Sequence, residues 1–131
     1  MRTPALLVAT VCAVGPTGAQ TFAEQVAKAK AEAAKPEGQK YEQSLYPAIG
    51  QAMRTCVPPG TTSQATLGNF TLVGAITSTG SLRGALVEPE TAVSLCFRNE
   101  LTAARLPPPP YVLPLPSGSS YPVVVEMKVT P

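Results

Sequence analysis

Hydrophobic residues follow three different spacings along this chain, and each predicts a different element. The first is an unbroken apolar run, Ala5 to Val14, closed by Gly15 and Pro16. It follows Arg2 and precedes the small residues Thr17-Gly18-Ala19, the layout of an export signal cut before Gln20. The run is shorter than the roughly 20 residues a spanning helix needs. The second spacing is helical. Thr21 and Glu24 form a capping-box pattern before EQVAKAKAEAAK, a stretch rich in helix formers with a thin apolar stripe. That predicts a solvated helical arm, interrupted at Pro36-Glu37-Gly38. Tyr41, Leu45, Ile49 and Met53 then recur every four residues, which predicts a helix face. Pro47 is best placed in a first turn, so the helix is expected from near Pro47 to Cys56, with a looser turn before it.

The third spacing has period two. Phe70, Leu72, Gly74 and Ile76 alternate with Thr71, Val73 and Ala75, predicting a strand with one buried face. Ser78-Thr79-Gly80 is a turn signal, and Leu82 to Val87 is the return strand, with Gly84 leaving a gap in its apolar face. Pro89 in a first turn and Glu88 and Glu90 near a positive helix end start another helix. Its inner stripe is Val93, Cys96, Phe97, Leu101 and Ala104, and Pro107–Pro110 stops it. The proline-rich stretch that follows predicts a rigid loop, and Tyr121 to Thr130 a last strand. That strand alternates Val123, Val125, Met127 and Val129 with Val124, Glu126, Lys128 and Thr130. The expected fold is therefore α+β, a two-layer αββαβ sandwich of two helices on a three-stranded antiparallel sheet. The expected division is 1–19 signal peptide, 20–39 helical arm and linker, and 40–131 folded domain.

Composition changes the picture at two points. With 10 Lys+Arg against 8 Asp+Glu, the charge is too even for a nucleic-acid footprint. There is no His, and all eight acids are Glu. General-base catalysis and metal binding lose their commonest side chain. No metal-ligand spacing, Gly-rich phosphate loop, paired carboxylates or nucleophile–base motif appears. No enzymatic activity, metal or cofactor is expected.

Three cysteines are present. Cys12 lies in the apolar run and would leave with the signal; Val11 before it fits a lipidation site poorly. Cys56 and Cys96 remain, and an even count in an exported chain suggests a disulfide. Two free buried thiols or a reactive pair are the alternatives; the lack of C-x-x-C and of His speaks against redox catalysis.

Several of these residues together resemble the C-terminal domain of TonB-like proteins. Tyr46-Pro47 followed by Ala52 is similar to that domain's tyrosine–proline start. Gly68, the strand 70–76, Gly80 and the strand 82–87 resemble its Gly-led hairpin. The helix 90–106 running into Pro107 resembles its second helix, and strand 121–130 its last strand. Cys56 and Cys96 sit where one branch of TonB-like proteins carries a cysteine pair. The resemblance covers about residues 44–131. It implies a periplasmic or secreted, non-catalytic protein-binding or adaptor module that adds an extended segment of another envelope protein to a sheet edge. The last strand is the candidate edge, with Tyr121, Val123, Glu126 and Lys128 as candidate contacts. The outward charges of Glu126 and Lys128 serve equally to keep an edge from aggregating. The alternative is a structural subunit of an envelope transport or secretion complex, assembled through the N-terminal helix.

Overall fold

The computed structural model describes residues 20–57, 68–116 and 118–128. The expected signal segment 1–19, Cys12 and the polar loop 61–66 lie outside the described residues. Four helices and four strands are present: α1 (Phe22–Ala33), α2 (Pro36–Ser44), α3 (Tyr46–Cys56), β1 (Phe70–Thr77), β2 (Leu82–Glu88), α4 (Ala92–Ala103), β3 (Leu113–Leu115) and β4 (Gly118–Met127). The strands form one antiparallel sheet in the order β2-β1-β4-β3. The fold is α+β, but the sheet has four strands rather than the expected three. The fourth comes from the proline-rich stretch, where Leu113–Leu115 pairs with Gly118–Ser120.

The helix starts follow local chemistry. Thr21 closes a capping box on α1: its Oγ1 accepts from Glu24 N at 3.1 Å, and its own N–H donates to Glu24 Oε1 at 2.9 Å. Thr91 and Ser94 do the same for α4. Pro36 ends α1 and starts α2, because a proline N at the first helical position gives up no hydrogen bond. The looser turn expected before Pro47 is therefore a helix, and only Leu45 separates α2 from α3. Tyr41, Leu45, Ile49 and Met53 nevertheless all meet the main core, since Leu45 keeps right-handed helical angles.

The sheet is covered on both faces. Leu72, Ile76, Val123 and Val125 point to one side and pack with Leu82, Val93, Phe97 and Leu101 in the main core under α3 and α4. Phe70 and Phe97 meet edge to face at 5.3 Å between centroids. Val73 and Val124, one residue out of phase, point to the other side and pack on Ala29 of α1. The expectation of a solvated arm is thus corrected: Ala29 is 1% exposed and α1 lies along the back of β4. Small alanines let the helix approach the sheet closely, a contact that a thin hydrophobic stripe does not advertise.

Cys56 closes α3 and Cys96 sits within α4. Their sulfurs are bonded, with Cα atoms 5.7 Å apart. The bridge fixes α3 to α4 above the sheet. Opposite Gly74 the ladder slips, so that Gly84 and Ala85 of β2 face one residue of β1. Gly84 has φ +60°, the left-handed conformation that a Gly-type bulge uses. The gap at Gly84 is therefore a bulge.

Candidate functional site

A sheet can take up another strand only where a regular row of backbone donors and acceptors lacks a partner. The outer strands offer little. β2 is one border, and its bulge at Gly84 interrupts the row. β3 is the other border, but it is three residues long with Pro114 at its centre, which has no N–H to offer. β4 is inside the sheet order and so is not the outermost strand. It is flanked by β3 only at 118–120, however, while β1 pairs with it from Ser120 to Met127. Beyond Ser120 the side of β4 away from β1 has no strand partner among the described residues.

Two observations fix which groups face that open side. Thr77 N–H donates to Ser81 O at 2.9 Å across the hairpin, so the backbone groups of odd-numbered β1 residues point to β2. Those of Leu72, Gly74 and Ile76 then point to β4, where they meet Val125, Val123 and Tyr121. Pro122, Val124 and Glu126 consequently face outward. Pro122 agrees, because a proline in a strand belongs where its missing N–H would face away from the ladder. The open row therefore offers the N–H groups of Val124 and Glu126 and the carbonyls of 122, 124 and 126.

Beside this row runs a groove of about 220 Å3. Glu42, Leu45, Tyr46 and Ile49 line one side and Val124 to Met127 the other. Tyr46, at 63% exposure, is one of two large hydrophobic side chains left open to solvent among the described residues. Glu42 of the groove wall connects to a cluster of three tyrosines. Tyr121 meets Tyr41 edge to face at 5.0 Å and Tyr111 at 5.6 Å. Tyr41 Oη donates to Pro107 O at 2.8 Å, and Tyr111 Oη donates to Glu32 Oε1 at 2.7 Å. Tyr121 Oη reaches Glu42 Oε2 at 3.5 Å. This cluster ties α1, α2 and the proline-rich stretch to β4.

The charges at the site respond to that packing. The Tyr111 hydroxyl, with Lys35 beside it, holds the buried Glu32 carboxylate below its ordinary pKa. Glu42 moves the other way: burial raises it, and the long bond from Tyr121 offsets only part of that. Burial also raises all three phenols, Tyr111 to about 12. All three therefore act as hydrogen-bond donors at neutral pH.

The four sequence-predicted contacts fall into two groups. Tyr121 and Val123 are buried, with their side chains in the core. Glu126 and Lys128 are exposed, and Glu126 is bonded to Lys30 of α1 at 3.2 Å. The stretch thus offers its backbone, while the side chains closest to a guest are those of Glu42, Tyr46, Ile49 and Met127. Sequence reasoning missed these; Tyr46, an aromatic beside Pro47 at a helix start, was the available signal. Among the described residues no group of three or more Cys or Glu side chains is placed to hold a metal ion. No helix among them is long and apolar enough to cross a membrane. No family model, curated protein or solved structure matches this chain.

Proposed function

We propose that this chain is a non-catalytic adaptor module of TonB C-terminal-like fold, exported from the cytoplasm, that grips an extended segment of another envelope protein along the open side of β4. The observation that carries the reading is the unpartnered row at 122–126 beside a groove that leaves Tyr46 exposed. An added strand would bond to the backbone of Val124 and Glu126 and lay alternate side chains into the groove. The Cys56–Cys96 bridge accords with an oxidising compartment. Assembly through the N-terminal helix gains no support, because the apolar side of α1 is already engaged with Val73 and Val124.

The test is crosslinking in intact cells from a photoreactive residue at position 46, compared with one at Leu86 on the opposite border. Glu126→Pro removes one outward N–H and leaves the bonds to β1 in place. Partner crosslinks from position 46 that E126P abolishes, in protein whose circular dichroism is unchanged, are expected. Crosslinks that E126P leaves intact, or that arise equally from position 86, overturn the reading.

A further inference from the structure

The back of the sheet is only partly covered by α1. Beside the N-terminal half of that helix lies a cleft of about 310 Å3, which touches β4 at Pro122 but shares no lining residue with the groove beside Tyr46. That volume is at the lower end of small-ligand sites. Lys28 and Gln25 of α1 stand on one wall and Arg83 of β2 on the other, over an apolar floor that includes Ala75, Leu115 and Pro122. The bulge shapes the opening: a Cβ built on Gly84 meets no atom within 4 Å.

The polar lining is rich in donors. None of the residues lining the cleft is acidic. Among the described residues neither Lys28 nor Arg83 takes part in an ion pair, although Lys30 and Lys35 do. Glu32, one turn on from Lys28, feels its charge but is bonded to Tyr111 and Lys35. Two cations line one cleft, and no carboxylate of the described residues lines it with them. A site of this kind attracts an anion, and the Arg guanidinium can hold a carboxylate or phosphate in two-point fashion. The floor favours an apolar body behind that head group.

We propose that this cleft binds a small organic anion, a carboxylate or phosphate carried on an apolar or ring-bearing body, independently of any strand taken up at β4. The two cations hold the head group, and Ala75, Leu115 and Pro122 take the body. Affinity falls with added salt, because the attraction is between charges near solvent.

The experiment is a nuclear magnetic resonance titration of the full chain with benzoate, phenyl phosphate, inorganic phosphate and the neutral benzamide. Saturable shifts centred on Gly74, Ala75 and Gly84 are expected with benzoate or phenyl phosphate, and the tighter of the two identifies the head group. Lys28→Gln with Arg83→Gln should weaken that probe by about tenfold or more. Should the double variant not fold, R83Q alone carries the same comparison, with a loss of about threefold or more expected. The proposal is overturned if neither aromatic anion gives saturable shifts, or if benzamide binds as tightly. It is also overturned if inorganic phosphate matches phenyl phosphate, or if the variants bind unchanged.

Discussion

Glu32 and Glu42 each sit beside a tyrosine hydroxyl, yet folding moves their acidity in opposite directions. Glu32 gains a short bond from Tyr111 and a contact with Lys35, so its carboxylate is favoured and its pKa falls. Its contribution is complete above the ordinary carboxylate range and is lost as pH drops through the lowered folded value. Glu32→Gln should cost about 1–2 kcal/mol at pH 7 and flatten the acid side of the stability profile, read by urea denaturation from pH 3 to 7. Glu42 has its pKa raised by burial, so its charged form opposes folding at neutral pH, and that opposition is relieved as pH falls through the raised value. Glu42→Gln should therefore leave stability at pH 7 equal or higher, the opposite sign to E32Q in the same assay. A third residue has no slack. A Cβ on Gly38 would lie 2.0 Å from Glu32 O and 2.9 Å from Tyr121 Oη, so Gly38→Ala must push α2 off the tyrosine cluster. A loss of about 1–3 kcal/mol is expected, measured as a shift in denaturation midpoint.

Among the elements, α3 and α4 are joined by the bridge, while α1 has no covalent tie and is held by packing, the Tyr111–Glu32 hydrogen bond and the Lys30–Glu126 pair. Reducing Cys56–Cys96, or replacing both with serine, frees a segment with a sequence separation of 40. The chain-entropy account puts the loss at about 4 kcal/mol, to be read from midpoints with and without reductant. For α1, Ala29→Glu places a charge against Val73 and Val124. It should speed tryptic cleavage at Lys28 and Lys30 and leave the main core folded, since the two clusters lie on opposite faces.

These elements also differ in how far the sequence announced them. β2 and α4 follow from spacing because each buries one side of large residues; β1 was legible by its alternation, but the expectation of one buried face is corrected, since Val73 and Ala75 on its other side are buried too. The disulfide followed from the two cysteines left once Cys12 is set aside with the apolar run. The seating of α1 was hidden, because a contact made through Ala29 has almost no hydrophobic signature. α2 was hidden by Pro36, a residue that stops one helix and begins another equally well. β3 was hidden among prolines because its three residues have too little length to show a period. At the candidate site, Tyr121, Val123, Glu126 and Lys128 were expected together as contacts, and the side chains of the first two are buried in the core. Alternation reports the direction of side chains, whereas an open border depends on the direction of N–H and C=O groups, perpendicular to them in the sheet plane. That direction follows only from which strand lies on which side.

For the molecule as a whole, each strand border has its own fate. The bulge at Gly84 disrupts β2, and Pro114 and short length limit β3. The stretch of β4 beyond Ser120 has neither device on its outer side apart from Pro122 at its start. Lys30 and Glu126 pair across the back at exposed positions, so their bond contributes little stability, about 0–1 kcal/mol. Amide hydrogen exchange along β4 in the free protein, followed residue by residue by nuclear magnetic resonance, tests that open row most directly. Val124 and Glu126 should exchange at least about 100-fold faster than Val123 and Val125, whose N–H groups point to β1. Equal protection at all four positions would mean the row is already occupied, and would contradict a strand-gripping role for this side of the sheet.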